Sequence, residues 1–188
     1  MRALIPLAMG VEEMEAVILA DVLRRAGWNV VLAGLAPGWV TASRGVRLQP
    51  DAVWADVAPL DFDILILPGG TEGVAALTAD ERVLDAVRQF DRHDKWLAAI
   101  CAAPLVLQAA GILVGRAMTC HPGVKDRITE TTRSDSRVVV DRRLVTSQAA
   151  GTTFEFALAL IRLLESPETA DRVAAGLCLM NGSQTNLS

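Results

Sequence analysis

Short aliphatic runs alternate along the chain with longer segments in which apolar residues recur every three or four positions. Two alternating periods of this kind predict strands and helices taking turns in an α/β fold. Arg2 to Ala8 reads as the first strand, and Glu12 to Ala26 as a helix, with Val17, Ile18, Val22, Leu23 and Ala26 at helical spacing and Gly27 placed as a C-terminal capping glycine. Trp28 to Leu35 is the second strand. Asp63 to Leu67 is almost wholly aliphatic, as a parallel strand covered on both faces should be, and Pro68-Gly69-Gly70 stops it in a turn. Asp80 to Phe90 has the period of an exposed amphipathic helix, and Trp96 to Ile100 is a buried strand that delivers the chain to Cys101. A helix over about Ala102 to Ala110 is predicted to start at once. Beyond it come a strand near Ala117 to Cys120, a β-ribbon over Arg137 to Ser147 and a helix over Thr152 to Leu164. Ser166-Pro167-Glu168 announces a last helix, with a capping hydroxyl, proline at the first helical position and an acid in the first turn. The polar stretch from Asn181 to Ser188 is expected to fray. Pro6 conflicts with this reading, because it has no amide hydrogen to donate; either the first strand is edge-like there or a bulge absorbs the proline.

Composition narrows the class. With 188 residues, 52% of them hydrophobic, the chain forms one sizeable core, so a single domain over 1–188 is expected. No apolar run reaches the roughly 18 residues of a bilayer helix. Met1-Arg2-Ala3-Leu4 enters a short apolar run without the features of a secretory leader, so no membrane association and a cytoplasmic location are expected. A net charge of -4 with scattered basic residues gives no footprint for nucleic acid. Three cysteines, Cys101, Cys120 and Cys178, without CxxC spacing fit a reducing compartment with at least one free thiol.

Candidate chemistry gathers at the carboxyl ends of strands, where an open parallel sheet places its sites. Three such ends stand out: Gly10 to Glu15, Leu67 to Thr71, and Ala98 to Pro104. Cys101, at a tight strand-to-helix junction among small residues, would be held above the sheet. Unpaired amides at the start of the following helix would favour thiolate and lower its pKa. The alternative is that this cysteine fills a small buried hole. Glu15, one turn into the first helix, could exchange a proton with the thiol if partly buried. Glu12 and Glu13 read as solvated acids meeting the helix dipole. His121, beside Cys120, is either a base for a thiol or a hydrogen-bonded structural histidine. A zinc site from Cys101, Cys120 and His121 lacks compact ligand spacing, His93 reads as solvent-facing, and Cys178 as core or interface packing. Gly69 and Gly70 allow close backbone approach, either as an oxyanion site or as a plain turn, and the absence of a following Lys-Ser or Lys-Thr excludes a P-loop.

Taken together, G-V-E-E-M-E at Gly10 to Glu15, D-V-L-R-R-A-G at Asp21 to Gly27, L-P-G-G at Leu67 to Gly70, A-A-I-C-A-A-P at Ala98 to Pro104, H-P-G-V-K-D at His121 to Asp126 and G-T-T-F-E-F-A-L-A at Gly151 to Ala159 resemble the ThiJ/PfpI superfamily, near its Parkinsonism-associated deglycase branch. The resemblance spans nearly the whole chain. It implies a flavodoxin-like three-layer sandwich, a mostly parallel sheet with helices on both faces. It further implies Cys101 as nucleophile, Glu15 as its proton partner, His121 nearby, and amides around Gly69, Gly70 and Ala102 as substrate or oxyanion contacts. Homodimerisation is implied too, with Arg44 crossing the interface and Arg25 near the same anion-binding mouth. The activity implied is a glyoxalase or deglycase reaction on small aldehydes or glycated protein, with neither metal nor cofactor. A redox-sensing chaperone whose cysteine becomes a sulfinate, and a PfpI-like cysteine protease, are the rival readings. The sequence departs from the pattern at Pro6, at Ala103 where glycine is usual, and at Gln148-Ala149-Ala150, which bears on pocket width.

Overall fold

Strands with no polar face become the middle of a sheet, because only burial on both sides keeps such residues from water. In a computed structural model, which describes residues 1–129 and 131–179, the elements follow in this order: β1 (Arg2–Leu7), α1 (Glu13–Arg25), β2 (Asn29–Gly34), β3 (Val40–Thr41), β4 (Arg47–Leu48), β5 (Ala52–Val53), β6 (Ile64–Leu67), α2 (Thr71–Ala79), α3 (Glu81–Arg92), β7 (Trp96–Ile100), α4 (Pro104–Ala109), β8 (Ala117–Met118), β9 (Thr132–Arg133), β10 (Val138–Asp141), β11 (Leu144–Ser147), α5 (Thr153–Leu164) and α6 (Pro167–Gly176). The tail 181–188, expected to fray, lies outside the described residues. The main sheet has the order β10-β11-β7-β6-β1-β2-β5, with only the β10–β11 pair antiparallel. Its parallel centre, β2-β1-β6-β7-β11, is the 2-1-3-4-5 order of a flavodoxin-like fold.

Successive residues of a strand face opposite layers, and the core divides accordingly. Ile5, Leu7, Ile64, Ile66, Ala98 and Ile100 pack under α1, α5 and α6. Leu4, Leu65, Leu67, Leu97 and Ala99 pack under α2, α3 and α4. Each fully buried leucine or isoleucine stabilises the fold by roughly 2 kcal/mol. Among the described residues, no helix is long and apolar enough to cross a membrane.

Several expectations change in three dimensions. Pro6 is neither on an edge nor in a bulge. The Met1 and Leu7 carbonyls accept from Asn29 and Leu35 on the β2 side, whereas the Arg2 carbonyl accepts from Asp63 on the β6 side. Even-numbered positions of β1 therefore face β6, and the β1–β6 register runs only through Ala3↔Ile64 and Leu4↔Leu65, so it ends before the proline nitrogen is needed. On α1 the buried stripe is Ala16, Leu19, Ala20, Val22 and Leu23, while Val17 faces outward at 46% exposure. Gly27 does terminate this helix at φ +85°, with the Trp28 amide reaching back to the Leu23 carbonyl. The helix expected from Ala102 begins only at Pro104; residues 101–103 form a turn. Cys178 falls beyond α6 and is exposed rather than packed in a core. The helix α2, not anticipated, contains Gly73 and has apolar residues around much of its circumference, which hides a helical period.

Candidate active site

The order β7-β6-β1 places three strand ends side by side, and the loops that leave them meet over the sheet. Cys101 leaves β7 with its amide donating to the Ser147 carbonyl at 3.0 Å and its carbonyl accepting from the His121 amide at 2.8 Å. These bonds hold it in the left-handed region at φ +65°, a conformation that costs a non-glycine residue about 1 kcal/mol and turns the side chain away from the strand direction. The half-buried thiol lies in a cleft of about 580 Å³ whose wall includes Gly10, Glu12, Arg44, Gly70, Glu72 and His121.

Two glycines permit this crowding. A methyl group on Gly69 would stand 2.6 Å from Cys101 Cβ and 2.7 Å from Glu15 Oε2. One on Gly70, at φ +95°, would meet the Gly10 carbonyl oxygen at 2.3 Å. The Gly69 amide donates to Glu15 Oε2 at 2.7 Å, so it positions the acid rather than serving as an oxyanion donor, which corrects one part of the sequence reading.

Glu15 sits in the first turn of α1 with no exposed surface. Its second oxygen, Oε1, has no hydrogen-bond partner among the described residues. Burial raises its pKa to about 7, against the opposing hydrogen bonds of Gly69 and Cys101 and with a further upward push from the charge of Glu12. Burial likewise pushes the Cys101 thiol up to about 12, reinforced by the Glu15 charge and the hydrogen bond between the two side chains and opposed by the amides of Ala102 and Gly70. The expected lowering of the thiol pKa by a helix terminus is therefore overturned. Because α4 starts three residues later, the amides of Gly70 and Ala102 are the ones that reach the sulfur, and desolvation outweighs them. When Glu15 is protonated, the charge that disfavours thiolate is gone.

Glu13 also departs from its solvated reading. It is buried, and although burial pushes its pKa up, hydrogen bonds from its own backbone amide, Ser43, Arg44 and Val46 hold the carboxyl below its ordinary value. The Ser43 hydroxyl lies 2.8 Å from both Glu12 and Glu13, and the Arg44 amide donates to Glu13 at 2.9 Å. These contacts fix the β3–β4 hairpin on the rim of the cleft and bring Arg44 to it. Ser43 had no periodic or motif signal to mark it.

His121 is exposed on the cleft wall. Its Nδ1 accepts from the Gly123 amide at 3.0 Å, so in the neutral ring the proton resides on Nε2. Arg25 lies about 18 Å of helix from Glu13, at the opposite end of α1, where it pairs with Asp21 at 2.7 Å. It forms no part of the mouth in its own chain. Cys120 is buried, with its pKa raised by burial against the charge of Arg133, and does not line the cleft. Neither Ala103 nor residues 148–150 line it, so these departures lie outside its wall. No group of three or more His, Cys, Asp or Glu side chains suited to a metal occurs among the described residues.

The DJ-1/PfpI family pattern matches residues 1–163. The chain is 43% identical over 178 residues to Protein dj-1beta of Drosophila melanogaster, covering 93% of this chain and 95% of that one. It is 39% identical over 170 residues to glutathione-independent glyoxalase DJR-1.2 of Caenorhabditis elegans, covering 89% and 90%. The crystal structure of Drosophila melanogaster DJ-1beta superposes with a TM-score of 0.93 at 41% identity, over 96% of this chain and 98% of that one. With the family pattern, the relatives and the fold in agreement over most of its length, the chain belongs to the DJ-1/PfpI family.

Proposed function

We propose that this protein is a glyoxalase of the cofactor-independent kind, converting small 2-oxoaldehydes such as methylglyoxal to 2-hydroxy acids through Cys101. The observation that carries the reading is a half-buried thiol in contact with a wholly buried carboxyl whose pKa lies near 7. A thiol beside a proton carrier that titrates near neutral pH and can take up its proton as the sulfur attacks is what this isomerisation requires. The name of the Caenorhabditis elegans relative supports it.

In the first step the sulfur bonds to the aldehyde carbon and the thiol proton passes by way of the Glu15 carboxylate to the carbonyl oxygen, giving a hemithioacetal. The Gly70 and Ala102 amides, which already favour negative charge on the sulfur, stand beside the oxyanion as it forms. Glu15, as carboxylate, takes the proton from the former aldehyde carbon. The resulting enediol is reprotonated on the neighbouring carbon and closes to a thioester. Water then adds, the carbon–sulfur bond breaks, and lactate leaves with the thiol restored. Each proton removed is returned, so no redox partner is consumed. The same first step on an aldehyde already joined to a protein amine is the deglycase variant.

Purified protein given methylglyoxal, with a chelator present and glutathione absent, is expected to form lactate. No lactate above the protein-free blank rejects the reading and leaves a sensor role.

A homodimer belongs to the same proposal. Met14 and Val17 are 53% and 46% exposed on α1, and Met9, on the loop before α1, and Val46, in the β3–β4 hairpin, are exposed as well. An apolar patch of this kind, with Arg44 at its edge, fits a self-complementary contact. Sedimentation velocity at micromolar concentration is expected to give a dimer and Met14→Arg a monomer; a monomeric wild type overturns the interface and the role of Arg44 across it.

A further inference from the structure

Beside the cleft runs a second depression, a groove of about 750 Å³ between α2 and α4 with the Pro122–Arg127 turn along its edge. The two spaces are adjacent, with Thr71, Ala102 and Val124 lining both. Their chemistry differs. Polar and charged groups surround the thiol in the cleft, whereas the groove is walled by Val74, Ala75, Ala79, Leu105 and Ala109.

Two of the polar side chains in the groove wall, Thr78 and Gln108, are already satisfied within the fold. The Thr78 hydroxyl donates to the Val74 carbonyl at 2.7 Å. Gln108 donates through Nε2 to the Arg127 carbonyl at 2.9 Å and accepts from the Thr129 amide at 2.8 Å. Among the described residues lining the groove, Arg127 alone is charged, and it is exposed. A ligand lying along Val74, Ala75, Ala79, Leu105 and Ala109 therefore meets hydrocarbon and leaves the hydrogen bonds of Thr78 and Gln108 in place. From Thr71 to Ala79 the helix runs about 12 Å, and Ala75 lies one turn beyond Thr71 on the same face.

We propose that this groove is a side-chain subsite for substrates R–CO–CHO in which R is an aryl or branched alkyl group. The dicarbonyl reacts at Cys101 in the polar cleft while R lies between α2 and α4. The proposal rests on the glyoxalase reading and extends it from methylglyoxal, whose methyl group is too short to leave the cleft, to larger apolar 2-oxoaldehydes. The atom balance is unchanged, and the product is the corresponding 2-hydroxy acid.

Two measurements test it together. One is the ratio of kcat/KM for phenylglyoxal to that for methylglyoxal. The other needs no turnover: the rate of Cys101 alkylation by phenacyl chloride relative to chloroacetone, each divided by its rate with glutathione as a reference thiol. Wild-type protein is expected to favour the aryl compound at least about tenfold in both, the scale on which apolar pockets discriminate. Ala75→Arg, which places bulk and charge in the groove from an exposed position, is expected to lower both ratios at least about tenfold, while Ala75→Ser retains them. Absence of an aryl preference in the alkylation, or a preference that Ala75→Arg leaves intact, overturns the subsite. Aryl-selective alkylation that responds to Ala75→Arg without turnover of either dicarbonyl supports the groove as an aryl-ketone site and rejects the glyoxalase reading instead.

Discussion

Cys101→Ala is expected to lower lactate formation from methylglyoxal at least about a thousandfold, the scale on which loss of a covalent nucleophile is felt. The sulfur forms the first bond to substrate, and neither Cys120 nor Cys178 lines the cleft to replace it. The same position carries a separate prediction about stability. Because residue 101 sits at φ +65°, alanine inherits the backbone strain and glycine does not. Cys101→Gly is expected to be as inactive as Cys101→Ala yet more stable by roughly 1 kcal/mol, a rise of about 2–4 °C in Tm. Thermal melts of the two variants side by side check this. Equal melting temperatures would mean that the Ser147 and His121 backbone bonds hold the turn without strain. Substantial turnover in either variant would remove the thiol from the chemistry altogether.

Glu15→Gln is expected to reduce turnover by about a hundredfold, at the lower end of general acid–base effects. Glutamine keeps the size of the side chain and can accept the Gly69 amide through its oxygen, but it cannot carry a proton between carbons. The accompanying change in pH dependence separates this role from mere packing. With an ordinary value of 4.5 and a folded value of about 7, Glu15 binds its proton more tightly in the folded state than in the unfolded chain. Its contribution to stability is therefore fully present below about pH 4.5, declines as pH rises, and is lost above about pH 7; the decline is on the order of a few kcal/mol. Denaturant unfolding of wild type at pH 5 and pH 7.5, compared with Glu15→Gln at the same two values, is expected to show a loss in the wild type that the variant lacks. Parallel curves for the two proteins would place the carboxyl in a solvated setting and end its assignment as proton carrier.

How much of this was legible beforehand differs from residue to residue. Ile64 to Leu67 and Leu97 to Ile100 announced themselves as buried parallel strands because an aliphatic run has no alternative fate in water. Cys101 and Glu15 were visible as candidates because a strand end followed by small residues is a local pattern. Glu13 was misread. Nothing within its own segment reveals that Ser43 and Arg44, some thirty residues along, will supply its hydrogen bonds. Arg25 was placed at the mouth by resemblance, whereas the length of α1 carries it to the opposite end. Val17 was read among the apolar residues at helical spacing, but α1 has apolar residues on more than one face, and only the sheet beneath decides which face is buried.

The principal strands of the main sheet, the helices other than α2, and the candidacy of Cys101 and Glu15 were legible in the amino-acid sequence itself, since each depends on neighbours within a few residues. Protonation at the site was decided by tertiary structure. The local pattern argued for a lowered thiol pKa, but desolvation of Cys101 and Glu15 in one enclosed space raises both, and desolvation depends on every chain segment packed around them. The groove between α2 and α4 was likewise set by packing alone, because its walls come from segments that no sequence period connects.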